Sequence, residues 1–291
     1  MHLQLQTRRR DSPKWQENSK NVLPGRQYDT ERVGMITSSS NQQIKNLQSL
    51  LKKAKERKEQ KAFVTEGIRM FKEALELGLV ISAYYSEHFF EGLENADRER
   101  FTSIPFEVVS DGVFGSISET VTPQGVIAVV KMPEHDVEEI LRNASKLILL
   151  ENLQDPGNLG TIIRTAEAAG MDAVVLSKDS VDVYNPKVVR STMGALFRKP
   201  VIYVEDLIGF VGLLNEKGFT TVATDLSASS DYANADYGKK TAVLIGNEGN
   251  GLIPEAVSAA SLKVIIPMEG QVESLNAGVA AALMMYEIKR K

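Results

Sequence analysis

The 291-residue chain contains no cysteine, which excludes a disulfide framework, a thiolate metal site and a thiol nucleophile. Histidine is almost as scarce. His2, His88 and His135 are scattered, with no spacing suited to a metal site or a Ser-His-Asp constellation, so no metal is expected. Long apolar runs are missing too: the longest small or apolar run, Ala277 to Tyr286, falls well short of the ~20 residues a membrane span requires. Neither GxGxxG nor GxxxxGK(S/T) occurs, which removes most of the support for nicotinamide and P-loop nucleotide chemistry. With no signal segment and no cysteine, the cytoplasm is the expected compartment.

What is present is ordinary globular usage, 43% hydrophobic and 25% charged with 10 prolines, and a length that suggests two domains or one large α/β unit. The first 34 residues stand apart. Arg8, Arg9 and Arg10 are followed by no apolar segment, and Pro13, Pro24 and Gly25 accompany many amides and charges, the composition of a disordered leader. Met35 looks like a second, more natural beginning, and the leader is open to reading as a tag, an upstream mis-start or a basic arm.

The formal net charge of −4 conceals a polarity along the chain. Residues 1–72 hold 16 Lys and Arg against 7 Asp and Glu, and residues 73–291 hold 18 against 31. Lys45, Lys52, Lys53, Lys55, Arg57, Lys58 and Lys61 share a stretch with Ile44, Leu47, Leu50, Leu51 and Ala54, whose helical spacing predicts one packed face and one positive face. Such a face is either solvated or a contact for nucleic-acid phosphates, with Lys52, Lys53, Arg57 and Lys58 as the candidates.

A first domain, residues 35–131, reads as this basic helix, a strand at Ala62–Thr65, a helix at Ile68–Leu77, and strands at Val80–Tyr85, Pro105–Val109 and Val126–Val130. Residues 132–143, with Pro133, His135 and Asp136, read as a linker. From 144 to 291 the pattern repeats. Apolar runs at Leu147–Leu150, Ala173–Leu176, Val201–Val204, Thr220–Ala223, Ala242–Ile245 and Val264–Ile266 alternate with helical stretches, as in a parallel sheet covered on both faces.

Ligands in open α/β sheets sit outside the carboxyl ends of the strands, and three segments there stand out. In Leu149 to Gly170 a buried strand leads to Asp155-Pro156-Gly157 and to Asn158, placed as a helix N-cap. Leu159, Ile162, Ile163 and Ala166 then face the core, while Arg164 either serves a site or pairs with Glu167 at the surface. In Ala242 to Ala256, Gly246, Gly249 and Gly251 surround Asn247, Glu248 and Asn250, which suits either an elaborate turn or a loop that lets its backbone approach a ligand. The third segment runs from Val264 to the end, with a helix opening at or near Ser274 that is apolar on nearly every side. It is a core helix or lies between its own sheet and a second copy of the chain.

PGNLGTIIRTAEAAG, IGNEGNGL and IPMEGQVESLNAGVAAAL, in this order and at these distances, resemble the three motifs of the SpoU (TrmH) family of RNA ribose 2′-O-methyltransferases. The resemblance covers Leu147 to Lys291, and the preceding module resembles the ribosomal-protein-like substrate-binding domain of rRNA-modifying members. It implies an α/β protein in which a trefoil-knotted, SPOUT-type parallel-sheet domain binds S-adenosylmethionine and dimerises with itself, beside a smaller RNA-binding domain. It further implies that Gly246, Ile266 and Leu275, with Leu244 and Thr224, cradle the methyl donor, and that Asn158, Arg164, Glu248, Ser274 and Asn276 form the catalytic centre. Large-subunit rRNA is the substrate it suggests. The same reaction on tRNA and a non-catalytic RNA-binding role are the alternatives. In the family proposal the motif-one arginine, here Arg164, is the base, yet guanidinium groups are ordinarily always protonated. Arg164 therefore either accepts the ribose proton with help from a substrate phosphate, or clamps that phosphate and stabilises the developing alkoxide.

Overall fold

The computed structural model describes residues 34–291, so all of the leader except Gly34 lies outside the described residues. The chain forms two compact units. Among the described residues one comprises 34–67 together with Leu79–Met132, and the other Ile68–Gly78 together with Pro133–Lys291.

The first unit contains β1 (Met35–Ile36), α1 (Gln42–Lys52), α2 (Ala54–Gln60) and β2 (Ala62–Glu66). The helix α3 (Ile68–Glu76), expected in the first domain, groups with the second unit instead. The first unit then resumes with β3 (Val80–Ser86), α4 (Glu87–Glu91), α5 (Asn95–Phe101), β4 (Phe106–Val109), α6 (Asp111–Ile117) and β5 (Val126–Lys131). Its five strands form a mixed sheet in the order β1-β4-β3-β5-β2. Four of them, β2 to β5, lie within one residue of the ends expected from the apolar runs. The two-residue β1, which pairs parallel with β4, is too short to leave a periodic trace. Ile44, Leu47 and Leu50 of α1 are fully buried against this sheet beside Val64, Ile127 and Val129.

The basic stretch is not one helix. Lys53 is extended, at φ −120° and ψ 114°, and α2 folds back so that the side-chain amides of Asn46 and Gln60 bond each other at 2.9 and 3.3 Å. Arg57, expected on the phosphate-facing surface, is corrected by this turn. It is 3% exposed, and its Nη1 donates to the carbonyls of Leu50 at 2.6 Å and Leu51 at 3.1 Å. These belong to the last turn of α1, where carbonyls have no partner within the helix. Lys52, Lys53 and Lys58 remain exposed.

The second unit continues from α3 with α7 (Val137–Asn143), β6 (Lys146–Leu150), α8 (Pro156–Ala169), β7 (Ala173–Ser177), α9 (Pro186–Ser191), α10 (Ala195–Arg198) and β8 (Val201–Val204). It ends with α11 (Leu207–Glu216), β9 (Thr220–Thr224), β10 (Thr241–Ile245), α12 (Pro254–Ala259), β11 (Leu262–Val264) and α13 (Ala277–Arg290). The stretch read as a linker therefore contains a helix. Asp136 caps α7 by accepting from the N–H groups of Glu138 and Glu139, and Leu141 is buried in the second core.

All strand pairs of the second sheet are parallel, in the order β11-β9-β10-β6-β7-β8. Leu141, Phe210, Val211, Leu214 and Ala256 cover one face, while α8 and α13 pack together and bury Ile162, Ile163, Ala281, Met284 and Met285. Close packing reaches its limit at Gly160, where an added Cβ would stand 2.2 Å from the Cβ of Ser191 on α9. Two expectations change. The last strand is Leu262–Val264 rather than Val264–Ile266, and no helix joins β9 to β10. In that connection Asp225, Asp231 and Asp236 each accept from a backbone N–H two residues on, a turn geometry that competes with helix.

Replacing Arg57 with Met should strip buried carbonyls of a charged donor and destabilise the first unit by about 1–3 kcal/mol. Denaturant unfolding monitored in that unit checks this, and a loss below about 0.5 kcal/mol would show that solvent satisfies the carbonyls instead.

Candidate functional site

The strand β6 lies between β10 and β7, and its crossover α8 runs to the β7 side, so the chain diverges at the carboxyl ends of β6 and β10. Such a switch point opens a crevice. Three segments meet there, and their meeting depends on a few side chains.

The first segment enters α8 through Asp155, whose carboxylate accepts from Asn158 N–H at 2.8 Å, with Pro156 in the first helical position. Asp155, not Asn158, is thus the cap, as proline at the following position favours. Asn158 sits within the first turn with its side chain free to act elsewhere. Its Nδ2 donates to Glu248 Oε1 at 3.0 Å, and its Oδ1 accepts from Asn276 Nδ2 at 2.9 Å.

The second segment follows β10 and folds on itself. Asn247 and Gly251 exchange backbone hydrogen bonds of 3.0 and 2.9 Å, bringing the return strand so close that a Cβ on Gly246 would lie 2.1 Å from the carbonyl carbon of Gly251. Gly251 itself has φ +68°, which glycine adopts without steric cost. Underneath, the buried carboxylate of Glu151 accepts from Ile253 N–H at 2.9 Å. Burial raises its pKa, and that hydrogen bond opposes the rise. Glu248, at the loop tip, accepts from Asp155 N–H at 3.0 Å and Gln154 N–H at 3.2 Å besides Asn158. Burial pushes its pKa upward, but these hydrogen bonds outweigh burial and hold it below the usual carboxylate range, so it is an anion at neutral pH.

The third segment brings Asn276, whose Oδ1 caps α13 by accepting from Gly278 and Val279 N–H. The helix therefore opens at Ala277, slightly later than the sequence suggested. Ser274 is exposed in the preceding loop, outside the Glu248–Asn158–Asn276 network.

Beside this network lies a cavity lined by Thr224, Gly246, Ile266 and Leu275, four of the residues named from the sequence for the methyl donor, and also by Asp225 and Met268. Leu244 is corrected. It is fully buried in the core, and its carbonyl accepts the Thr224 hydroxyl at 3.0 Å, so it stands behind the cavity wall. Asp225 escaped the sequence reading because it falls just beyond the apolar run of β9. Its place at a strand's carboxyl end was the available signal.

Arg164 is exposed on α8 and lines a separate cleft with Thr161, Thr165, Ser191, Ala282 and Tyr286. Surface pairing with Glu167 is not what the structure contains, because Arg198 engages the Glu167 carboxylate, with Nη2 at 3.0 Å. Among the described residues no group of three or more His, Asp or Glu side chains could hold a metal ion, and no helix is long and apolar enough to cross a membrane.

Comparison with known proteins places this geometry. Residues 145–286 match the SpoU rRNA methylase family, and residues 41–128 match an MRM3-like substrate-binding domain. The chain is 36% identical over 254 residues to the 23S rRNA (guanosine(2553)-2′-O)-methyltransferase RlmP of Bacillus subtilis strain 168, covering 87% of this chain and 98% of the relative. Among solved structures it is similar to an AdoMet-bound rRNA methyltransferase from Sinorhizobium meliloti, with TM-score 0.78 and 29% identity over 88% of this chain and 97% of the other. It is likewise similar to the SpoU methyltransferase AviRb from Streptomyces viridochromogenes in complex with AdoMet, with TM-score 0.76 and 31% identity over 86% and 97%. Taken with the three segments gathered at the end of a parallel sheet, this likeness over most of the chain shows that it belongs to the SpoU rRNA methylase family and is an S-adenosylmethionine-dependent methyltransferase.

Proposed function

We propose that the chain methylates a ribose 2′-hydroxyl of large-subunit (23S) rRNA, in the cytoplasm, as a homodimer whose methyltransferase domain, about residues 144–291, is trefoil-knotted. The observation that carries this reading is the Glu248–Asn158–Asn276 network beside a glycine-walled cavity, in a chain alike over 87% of its length to a 23S rRNA 2′-O-methyltransferase. Residues 35–131 are the substrate-binding part, in keeping with the match at 41–128.

The cavity residues fit the methyl donor. Gly246 leaves no room for a side chain between its own strand and the return strand, so the wall there presents backbone, and Ile266 and Leu275 add apolar surface. S-adenosylmethionine, when bound, supplies an electrophilic methyl on a sulfonium. The acceptor hydroxyl is a poor nucleophile until its proton leaves. Arg164 carries five N–H donors and no acceptor, which suits clamping the adjacent phosphate and stabilising the alkoxide rather than taking the proton. The proton leaves to water through the exposed side of the cleft. Asn158, Glu248 and Asn276 hold the three segments in register, and Ser274, exposed one residue from the cavity-lining Leu275, is the side chain we assign to the incoming ribose.

The homodimer is supported by α13. Its inner side is buried, yet Val279, Leu283 and Tyr286 are 49%, 36% and 49% exposed at spacings that place them on one outer stripe. They line a trough of about 830 Å³, and an exposed apolar patch of this kind marks an interaction site. Thr161, Ala282 and Tyr286 belong to both the trough and the Arg164 cleft, so a second copy seated there would adjoin the acceptor site.

Arg164→Ala and Arg164→Lys should each lose at least about a hundredfold in single-turnover methylation with tritiated donor at saturating RNA, with donor affinity unchanged. Activity within a few-fold of the parent would remove Arg164 from the mechanism. Light scattering at micromolar concentration should give a dimer mass, and Leu283→Glu should give a monomer; a monomeric parent protein would sink the assembly. Replacing Lys52, Lys53 and Lys58 with Ala should lower the slope of log affinity for rRNA against log salt by about 2–3, since each phosphate contact contributes about 0.7–0.9. An unchanged slope would make this face merely solvated. Ribose-methylation mapping of total RNA with and without the gene separates rRNA from tRNA substrates and names the nucleotide.

A further inference from the structure

The donor cavity is electrically one-sided. Asp225 and Glu248 both line it, and among the described residues no lysine or arginine does. Among the described residues neither carboxylate pairs with a cation. Asp225 is half-buried, with Oδ1 accepting from Ser227 N–H at 2.9 Å and Oδ2 from the Ser227 hydroxyl at 2.8 Å. Its own N–H donates to Val264 carbonyl at 2.9 Å, which ties the residue to the neighbouring strand β11. Glu248 is held by amide and backbone N–H groups. Every one of these donors is neutral, so each carboxylate is oriented while keeping its field.

From this we infer that Asp225 is a specificity-determining residue that favours the methyl donor, with its sulfonium charge, over the product that lacks that charge. The inference rests on reading this cavity as the donor site. S-adenosylmethionine and S-adenosylhomocysteine share the same adenosine and amino-acid parts. They differ by one methyl and by the sulfonium charge. During transfer the carbon–sulfur bond breaks, its electron pair stays on sulfur, the methyl bonds to the ribose oxygen and the ribose proton leaves. Sulfur thus passes from cationic to neutral while the wall remains anionic. Opposite charges attract more strongly in a partly buried site than in water, so the wall holds the donor and loses its grip on the product once the methyl has gone.

Asp225 is the residue on which to test this, because Glu248 also holds the three segments together. Asp225→Asn removes the charge and can keep the turn, since Oδ1 still accepts from Ser227 N–H and Nδ2 can donate to the Ser227 hydroxyl. The experiment is titration calorimetry on the full chain with three ligands: S-adenosylmethionine, S-adenosylhomocysteine, and sinefungin, whose protonated amine takes the place of the sulfonium charge. The parent protein should bind the two cationic ligands more tightly than the homocysteine product. In Asp225→Asn both cationic ligands should weaken by about three- to tenfold and the product by less than twofold. Equal weakening of all three would assign Asp225 to the shape of the turn and overturn the inference, as would affinities that do not change. If the parent protein bound none of the three, the donor-site reading would itself fall and take this inference with it.

Discussion

Asn158 stands between a carboxylate and a second amide, and both ends of its side chain are used. It donates to Glu248, 90 positions away, and accepts from Asn276, 118 positions away. Bonds to a charged acceptor are worth about 1.5–3 kcal/mol and neutral ones about 1 kcal/mol, modest amounts beside the entropy of ordering three loops. Their value lies in geometry. One planar amide sets the Gly-rich loop, the start of α8 and the cap of α13 relative to one another, and Asn276 spends its own oxygen on the helix it caps. A shift in any of the three segments is felt by the other two.

This arrangement is possible because the sheet supplies a stiff edge. The parallel strands β9, β10 and β6 are in register, and both faces are filled by helices, so their carboxyl ends emerge together from a closely packed body. On that edge the backbone takes over from side chains. Gly246 and the return strand through Gly251 approach more closely than any residue with a Cβ allows, which turns the cavity wall into main chain and leaves electrostatics to two carboxylates. Glu151 beneath and Glu248 above anchor the loop from opposite ends by accepting backbone N–H groups.

Function at the surface follows from what the core leaves unpaired. The outer stripe of α13 remains apolar because its inner side already satisfies the fold, and it runs beside the cleft that holds Arg164. In the first unit the lysines Lys52, Lys53 and Lys58 stay in solvent, whereas Arg57 turns inward to complete the end of α1. Two cations one position apart, Arg57 and Lys58, thus have unrelated roles. The difference is that a guanidinium offers several donors to buried carbonyls, while an ammonium keeps its hydration more stubbornly.

Much of the architecture was legible from local pattern. Apolar runs located β2 to β5 within a residue and most strands of the parallel sheet, because burial on both faces demands continuous apolarity. The three motifs meet at the carboxyl ends of the strands, and Gly246, Ile266, Leu275 and Thr224 line one cavity there. Other features were decided by contacts across the chain. Asp155 displaced Asn158 as helix cap because Pro156 fits the first helical position, and that released Asn158 to join Glu248 and Asn276. Leu244 lies only two residues before the cavity-lining Gly246 but belongs to the core, since it is still inside β10, which is covered on both faces, whereas Gly246 stands beyond the end of that strand. Arg57 shares its spacing with exposed lysines, yet the extended backbone at Lys53 folds α2 back and buries it. Asp225 carries no motif, and tertiary structure alone places it with Glu248 in the lining of one cavity, where no lysine or arginine among the described residues joins them. Periodicity reports which residues are buried; which polar groups meet depends on pairs far apart in sequence, and only the folded chain brings those together.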